Sequence, residues 1–396
     1  MPALLLRGKP LDILIGDDGR IERVAPGIEA EVRTVDLKGR LVVPGLVDAH
    51  QHLDKTRTRA AVPNPKGTLA GAIEAFRGYA ERMSAEDIDA RAERTLAACL
   101  ERGTVAIRTH VNVDPEARLK GVGAIVALRE RVRERMRLQV VAFLTGGATR
   151  SGAPGREWLE ESLRMGADVV GANPNHSDRP LEFLDMVFEV AERHARPIDF
   201  HLDEHLDAGR TWFQAVIERT RAHGMAGKVV ASHSSALSAL NPTDAARVIE
   251  GLAGAGIGVV TLPAANLFLQ GRDAARLTPR GLTRVTELQR AGVVVAAASD
   301  NIQDPFVPPG SGDLLEIARW TLMAAHLGWN DLGRAFDMVT SAPARLLGLD
   351  GDYGIRPGAR ADLLIAQAED APDLVASGPL ARTVLVNGRV VAGSLE

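Results

Sequence analysis

Eight short apolar runs, separated by helical patterns, constrain the fold of this 396-residue chain more than any other feature. The first run ends at His50, and the others cover residues 104–110, 138–144, 168–173, 198–203, 229–233, 259–262 and 293–299. The helical patterns include residues 85–101, 182–194, 212–223 and 282–289, and the first has Ser84 and Asp87 placed to cap its start. Eight strand–helix units over roughly 250 residues predict an α/β fold with a (β/α)8, TIM-type barrel. A doubly wound sheet is the competing architecture, but no Gly-x-Gly-x-x-Gly follows a strand to support it.

The two ends of the chain differ from the middle, because their apolar runs are separated by turn sequences rather than helices. Residues 11–15 and 21–24 flank an Asp-Gly pair, and residues 361–365 precede a 383–391 segment that contains Asn387-Gly388. Asp-Gly and Asn-Gly between such runs are strong hairpin signals. We therefore expect both termini to form one small β-sandwich domain, residues 1–45 plus 350–396, beside a barrel domain of residues 46–349.

Charge and cysteine content limit the partners that this chain can have. A net charge of −4 gives no electrostatic case for nucleic acid or an anionic membrane. Cys99 is the only cysteine, so no intrachain disulfide can form, and its apolar neighbours predict a buried thiol. The leucines at residues 4–6 form too short a stretch for a signal peptide or a spanning helix. We expect a cytoplasmic protein that binds a small molecule, and the sequence leaves a homo-oligomer open.

A His-x-His pair, His50 and His52, ends the first barrel strand. Residues two apart in a strand point to the same face, so both imidazoles project together. Neutral imidazole is a good ligand for zinc or iron, although two solvated histidines past a strand end give the same pattern. The active sites of barrels lie at the carboxyl ends of the strands, where polar residues also end four other runs. These residues are His110, His201, His233 and Asp300.

A metal site can be assembled from this set. Two histidines of the first strand, His201 of the fifth and Asp300 of the eighth would supply three nitrogen ligands and one oxygen ligand. Such a shell leaves a position for water, which marks a catalytic rather than a structural site. Asp300 can also accept the proton of that water.

Three further residues complete the predicted chemistry. Glu204 follows His201 by three residues and can act as a proton shuttle, whereas a solvated loop carboxylate is the alternative interpretation. His233, on the adjacent strand, is placed to orient the attacking water. His176 and His205 fall in predicted loops, and we assign them no role.

Short motifs spread over nearly the whole chain resemble the amidohydrolase superfamily, and within it the cytosine deaminase branch. They lie at residues 44–54, 108–111, 166–171, 201–204, 231–233, 266–272, 280–285, 304–306 and 353–355. The resemblance implies a barrel with a terminal β-domain, one catalytic divalent zinc or iron ion, and hydrolytic deamination of a nitrogen heterocycle. Carried over residue by residue, it places the metal ligands at His50, His52, His201 and Asp300. It also places the proton shuttle at Glu204 and the water-orienting histidine at His233.

Several positions depart from the deaminase pattern. Thr145 stands where that branch has a substrate-reading glutamine, Asn301 where it has a second aspartate, and Lys55 where it has threonine. Ser299 likewise replaces a histidine. We expect Lys55, Thr145 and Asn301 to contact the substrate and to disfavour cytosine, although Lys55 pointing to solvent or pairing with Asp54 is an equal alternative. No lysine in the fourth strand is available to bridge a second metal.

The resulting hypothesis is a metal-dependent aminohydrolase that removes an amino group from a small heterocycle such as a pyrimidine or triazine. A cyclic amide hydrolase, or an enzyme that releases an N-alkyl amine, would use the same site. A catalytically silent scaffold is a more remote alternative, because such a protein should have lost metal ligands and none is missing here.

Overall fold

The computed structural model describes residues 11–395. The leucine stretch at residues 4–6 and the first ten residues of the predicted terminal domain lie outside this range. The strands are β1 Asp12–Ile15, β2 Ile21–Ala25, β3 Leu41–Pro44, β4 Leu46–Gln51, β5 Thr104–Val113, β6 Arg137–Leu144, β7 Val169–Ala172, β8 Ile198–Leu202, β9 Val229–His233, β10 Gly258–Thr261, β11 Val295–Ala297, β12 Leu363–Ala366, β13 Arg382–Val386 and β14 Arg389–Ala392. The α-helices are α1 Leu69–Ala80, α2 Ala85–Glu101, α3 Lys120–Val132, α4 Gly155–Arg164, α5 Pro180–Arg193, α6 Phe213–Ala222, α7 Pro242–Gly254, α8 Pro263–Leu269, α9 Val285–Arg290, α10 Leu314–Ala324, α11 Leu332–Asp337, α12 Ser341–Leu346 and α13 Ala371–Ser377.

The strands β4 to β11 form one sheet in chain order, and each neighbouring pair is parallel. A bridge between Gln51 and Asp300 joins the two edges of this sheet. The Asp300 amide donates to the His50 carbonyl at 2.8 Å, and the His52 amide donates to the Asp300 carbonyl at 3.3 Å. Because the last strand returns to the first, the predicted barrel is confirmed and the doubly wound sheet is wrong.

The direction of the side chains changes once along β4, and this change positions the histidine pair. Val47 and Ala49 pack in an apolar cluster with residues of β5, β9 and β10, inside the barrel. Asp48 and Gln51 hydrogen-bond to each other on the other face, toward α2. The strand register is irregular between Asp48 and Gln51, so that His50 follows Ala49 into the barrel interior. A strictly alternating strand would have turned His50 away from the barrel mouth.

The helices around the barrel begin and end close to the positions that the sequence predicts. In α2, the Ser84 hydroxyl accepts a hydrogen bond from the Asp87 amide at 3.1 Å, as a helix cap does. The carboxylate of Asp87 contacts Arg91 at 2.8 Å rather than returning to the cap. Cys99, near the end of α2, is buried as predicted.

The terminal strands form two antiparallel sheets. The hairpin of β1 and β2 is confirmed, and the second sheet has the order β14-β13-β12-β3. Leu363 and Ile365 of β12 pack with Ile21 of the hairpin, whereas Leu364 packs with the core that surrounds the barrel. This period-two pattern buries both faces of the sheet, and the predicted fold class is thereby confirmed. The domain limits at 45/46 and 349/350 stay predictions.

Among residues 11–395, no helix combines the length and the apolar character needed to cross a membrane.

Candidate active site

A cleft opens at the carboxyl ends of the barrel strands. Most of the residues for which the sequence predicts a role line it: His52, Lys55, Thr145, His201, Glu204, His233, Asp300 and Asn301. His50 is fully buried beneath them. The structure thus brings the predicted ligands, proton-transfer residues and specificity residues to one place.

Four side-chain atoms converge at the base of the cleft. His52 Nε2 lies 3.4 Å from His50 Nε2 and 3.2 Å from His201 Nε2. Asp300 Oδ1 lies 3.5 Å from His50 Nε2 and 3.2 Å from His52 Nε2. In a tetrahedral site with bonds of about 2.1 Å, ligand atoms lie about 3.4 Å apart. The spacing of the His50, His52 and Asp300 atoms therefore suits a divalent ion bound between them, and His201 Nε2 lies beside this group next to His52.

The protonation of the cluster also suits a cation. Burial is the main reason why the pKa values of His50, His52 and His201 fall well below their ordinary value, so the three rings are neutral. Burial raises the pKa of Asp300, whose Oδ1 has no hydrogen-bond donor among residues 11–395. Neutral nitrogens that face one another around a buried carboxylate repel unless a positive charge lies between them.

A hydrogen-bond chain fixes the tautomer of His50. The Ser232 hydroxyl donates to Asp199 Oδ1 at 2.9 Å and lies 3.0 Å from His50 Nδ1. Because the single hydroxyl proton is used for Asp199, Ser232 must accept the proton of Nδ1, which leaves the lone pair of Nε2 free for a ligand bond. Arg108 donates to the other Asp199 oxygen at 2.9 Å, and His110 stacks on His50 with ring centroids 3.8 Å apart.

His52 is oriented in the same way by the backbone. Its Nδ1 lies 3.0 Å from the His110 carbonyl and 3.0 Å from Lys55 Nζ, and these two contacts require opposite proton positions. We favour donation to the carbonyl, because it directs the lone pair of Nε2 into the cluster. Lys55 Nζ has a better acceptor in Asn112 Oδ1 at 2.7 Å. His201 is held by its ring, which stacks on Phe143 with centroids 3.9 Å apart.

Glu204 and His233 face each other beside this cluster. Glu204 Oε1 lies 3.5 Å from His233 Nδ1, and His233 Nε2 lies 3.9 Å from Asp300 Oδ2. Burial, followed by the charge of Asp300, raises the pKa of Glu204 well above its usual range, so its carboxyl group retains a proton. Burial lowers the pKa of His233 to about 4, and Asn266 Nδ2 donates to its Nδ1 at 3.2 Å. His233 is therefore neutral with its proton on Nε2, directed toward Asp300.

The backbone is strained at the ends of three strands. Asp203, His233, Ser234 and Asp300 have φ angles of 51°, 64°, 51° and 59°, in the left-handed region that favours glycine. Each such residue costs about 1–3 kcal/mol unless the surrounding structure holds it. Two of the four are predicted site residues, and a third directly precedes Glu204.

Lys55 is buried and lies in the wall of the cleft rather than in solvent. Its Nζ lies 5.7 Å from the ring centroid of Phe76 and 5.5 Å from that of Phe306. The nearest carboxylate oxygen is that of Asp54 at 3.9 Å. Lys55 therefore does not point to solvent, and it flanks Asp54 loosely; its contact with a substrate stays a prediction.

Thr145 and Asn301 lie in the wall of the cleft, and each makes a side-chain hydrogen bond to another protein residue. Asn301 Nδ2 donates to Asp304 Oδ2 at 2.6 Å, which leaves the amide oxygen for another partner. The hydroxyl of Thr145 lies 3.0 Å from His176 Nδ1. His176, to which the sequence analysis assigns no role, also lines the cleft.

Sequence reasoning missed further polar residues of the wall. Asn112, Asp114 and Asn173 belong to it, and Asn112 and Asp114 are joined by a hydrogen bond of 3.0 Å. Asn112 falls just after the run that was expected to end at His110, because β5 extends to Val113. A closer count of alternate residues beyond His110 would have placed Asn112 on the same face.

Comparisons with known proteins agree with this geometry. Residues 33–153 and 147–392 match the family described as the amidohydrolase family. A pterin deaminase of Rhizobium rhizogenes is 33% identical over 390 residues, which cover 97% of this chain and 88% of the relative. An N-isopropylammelide isopropyl amidohydrolase from Pseudomonas sp. strain ADP is 30% identical over 387 residues, which cover 96% and 92%. A crystal structure of 5-methylcytosine deaminase from Klebsiella pneumoniae, liganded with phosphonocytosine, has a TM-score of 0.92 and 32% identity, covering 99% of this chain and 97% of that one.

Proposed function

The chain belongs to the amidohydrolase family, and from that premise we propose that it is a metal-dependent aminohydrolase acting on a small nitrogen heterocycle. The predicted resemblance is confirmed by the family match. The names of its relatives include a pterin deaminase and a 5-methylcytosine deaminase, both of which are hydrolases of carbon–nitrogen bonds outside peptides. We extend that reaction class to this chain, with a pyrimidine, a triazine or a pteridine as the ring.

One observation carries the proposal. The buried carboxyl group of Glu204 and the imidazole of His233 face each other at 3.5 Å beside the predicted ligand cluster, in the wall of the cleft. Deamination needs a nucleophile, a proton donor for the ring and a proton donor for the departing amine. This corner of the barrel holds suitable residues for each of these tasks.

We propose one divalent ion, zinc or iron, held by His50, His52, His201 and Asp300. When bound, such an ion lowers the pKa of water to ~7 and so supplies a hydroxide nucleophile near neutral pH. The spacing of the His50, His52 and Asp300 atoms and the lone pairs that His50 and His52 direct from Nε2 into the cluster support this assignment. With four protein ligands in place, water would enter as a fifth ligand, a coordination number that catalytic zinc sites can reach during reaction.

The protein side of the mechanism is a proton relay. Glu204 gives its proton to a ring nitrogen, which makes the neighbouring amino-bearing carbon more electrophilic. Asp300 accepts a proton from the attacking water, and the Nε2–H of His233 orients that water from the other side. Glu204, now deprotonated, takes the hydroxyl proton of the adduct at the ring carbon and passes it to the leaving amine, so that ammonia departs and an oxo group remains; the proton held by Asp300 then restores Glu204.

Residues in the wall of the cleft favour some heterocycles over others as substrates. We propose that Lys55, Thr145 and Asn301 border the bound heterocycle. The Lys55 ammonium, set between two phenyl rings, favours a ring with an oxo or acidic substituent. The Asn301 amide oxygen accepts an N–H of the ring, since its Nδ2 is held by Asp304.

We propose that cytosine is a poor substrate. The deaminase branch reads its ring with a glutamine, which is both donor and acceptor, whereas Thr145 offers one short hydroxyl that is already bonded to His176. Loss of such a polar contact can lower kcat/KM by ~10⁴-fold. If cytosine exceeds isocytosine, ammelide-type triazines, creatinine and pterin by a wide margin in kcat/KM, this interpretation of the wall is wrong.

The alternative within the same chemistry is release of an alkylamine or opening of a cyclic amide. The ammelide amidohydrolase relative makes the first of these a specific candidate. The residues around the ligand cluster would serve either reaction, because the leaving group leaves from the same carbon. Mass spectrometry of the products separates ammonia, alkylamine and ring-opened acid.

The decisive experiment is a substrate screen with the purified protein loaded with zinc or with iron. Purines, pyrimidines, triazines, pterins and creatinine-like rings are tested for ammonia release, and metal is measured in the same sample. We expect one metal per chain and one ring class with clear turnover. Two metals per chain, full activity after complete chelation, or no amine released from any ring would contradict the proposal.

We further propose a cytoplasmic protein whose partner is a small molecule rather than nucleic acid or a membrane. The net charge of −4 and the single buried thiol of Cys99 support this proposal.

A further inference from the structure

We infer that His176 determines specificity by donating a hydrogen bond from Nε2–H to an acceptor atom of the bound ring. This inference rests on the proposed function, since it concerns how the same cleft chooses its heterocycle. His176 is the last residue of a short 3-10 helix, Pro174–His176, which follows β7. It lines the cleft together with Thr145, Glu204 and Lys55.

The proton position on this imidazole follows from its neighbours. The backbone amide of Gly146 donates to His176 Nδ1 at 3.4 Å, and a backbone amide can only be a donor. The Thr145 hydroxyl lies 3.0 Å from the same nitrogen and donates to it as well. Nδ1 is therefore an acceptor, and the neutral ring carries its hydrogen on Nε2. Within residues 11–395, Nε2 has no protein partner, so this donor is available to a ligand.

The ring stays neutral at ordinary pH. Burial lowers the pKa of His176 to about 4, which keeps the imidazole uncharged well below neutrality. The donor is thus a neutral N–H of fixed direction rather than a cation. A neutral donor selects for the geometry of an acceptor, whereas a cation such as Lys55 attracts any negative charge.

The short helix that carries His176 is anchored on both sides. Asn173 caps it by accepting the Asn175 amide at 3.0 Å, and Asn175 Nδ2 contacts Asp203 Oδ1 at 3.4 Å, one residue before Glu204. On the other side, the bonds of Nδ1 tie the ring to the segment after β6. Because Asp203 on one side and the segment after β6 on the other both hold this turn, the His176 imidazole loses little conformational freedom when it binds a ligand.

The identity of the preferred substrate follows from this donor. A fixed N–H donates to a carbonyl oxygen or an unprotonated ring nitrogen and disfavours a ring N–H at the same place, because two donors would then face each other without a partner. Thr145 becomes a positioning residue that holds the imidazole, rather than a group that reads the ring itself. The structure therefore points to an oxo- or aza-substituted heterocycle with an acceptor atom facing His176.

The test measures binding, so that it does not depend on turnover. Cyanuric acid, uracil and lumazine carry ring acceptors but no exocyclic amine, and each is titrated by calorimetry into metal-loaded protein. His176→Gln keeps a donor close to the position of Nε2, whereas His176→Met has nearly the same length and none. His205→Gln is the control, because His205 contacts the same turn through Asn175 but does not line the cleft. Metal content and melting temperature are recorded for every variant.

We expect the tightest probe to lose at least about tenfold in affinity in His176→Met and less than about threefold in His176→Gln and His205→Gln. On a substrate that turns over, KM should rise in His176→Met more than kcat falls. Unchanged binding in His176→Met, an equal loss in the Gln and Met variants, or no binding of any probe to the unmodified protein would each overturn the inference. Probe binding that depends on His176, in a protein that releases no amine from any ring, would sustain the inference and defeat the proposed function.

Discussion

The terminal sheet and the mouth of the barrel are both buried, but the first buries apolar side chains and the second buries polar ones. In β12, Leu363 and Ile365 pack on one side and Leu364 on the other, with strictly alternating apolar side chains. The barrel mouth instead buries neutral imidazoles, carboxylates and a lysine on a backbone that is strained at the ends of three strands. In the terminal sheet, the free energy of unfolding should therefore depend on the volume of the buried side chains. In the barrel mouth, turnover should depend on individual polar atoms.

The largest effect should come from removing one half of the terminal sheet. Deleting the chain after Ala361 removes β12, β13 and β14, so that β3 loses the strand it pairs with and the cluster around Ile21 loses Leu363, Ile365 and Leu385. An open edge beside an exposed apolar face favours aggregation, and we expect insoluble protein. Sedimentation and activity of the expressed product measure this. A soluble and active truncation would show that the N-terminal strands do not depend on the C-terminal ones.

In the barrel mouth, Glu204→Gln should separate function from stability. The amide has nearly the shape of the carboxyl group but cannot transfer a proton, so turnover should fall by ~10² to 10⁴-fold. The melting temperature and the metal content should stay close to those of the unmodified protein. Glu182→Gln, on the exposed surface of α5, is the matched control. Retention of more than about a tenth of the activity would remove Glu204 from the mechanism.

Leu364→Ala should lower stability while leaving turnover unchanged. This leucine is fully buried between the terminal sheet and the barrel helices, so its loss should lower the free energy of unfolding by about 2–5 kcal/mol. Activity per folded, metal-loaded chain should be unchanged, because no polar atom of the site moves. Val390→Ala, at a position 42% exposed on β14, should change unfolding by less than about 0.5 kcal/mol. Denaturant unfolding measures both variants, and equal losses in the two would contradict the packing argument.

The smallest effect should come from Ser232→Ala. Without the hydroxyl, His50 Nδ1 loses the acceptor that fixes its tautomer, and metal affinity should fall about 10- to 100-fold. Competition with a chelator of known affinity measures this change. Ser377→Ala on α13 is the control, since its hydroxyl bonds only the backbone of its own helix. If Ser232→Ala binds metal as tightly as the control, the chain from Asp199 to His50 does not tune the site.

The contrast between the regions also explains what could be predicted from sequence. All eight barrel strands and both hairpins were predicted, because burial leaves apolar runs and turns leave Asp-Gly or Asn-Gly pairs. The predicted metal ligands, three histidines and Asp300, could be named because strand ends converge in a barrel and the family motif marks them, and their role as ligands stays a prediction. The pairing of β3 with β12 joins residues more than three hundred positions apart, and only its existence, not its register, could be expected.

The missed parts of the site share a physical cause. His176 lies on a 3-10 turn, which has no periodic signature, and its role comes from contacts with a loop thirty residues away. Lys55 was undecided because its burial depends on Phe76 and Phe306, which reach it from separate segments. The register irregularity in β4, which turns His50 toward the barrel interior, has no counterpart in the apolar pattern and could not be predicted from it.

The residues with positive φ at the strand ends should respond in opposite ways to selection for heat resistance and to selection for turnover. Glycine tolerates the φ angles of Asp203, His233 and Asp300 without a steric penalty, so glycine variants relieve local strain there even as they remove the side chain. A library screened only for heat resistance should therefore drift toward sequences that melt later and have lost the ligand and relay groups. A lineage selected on turnover would keep aspartate and histidine at these turns and should recover stability at distant apolar positions such as those of the terminal sheet.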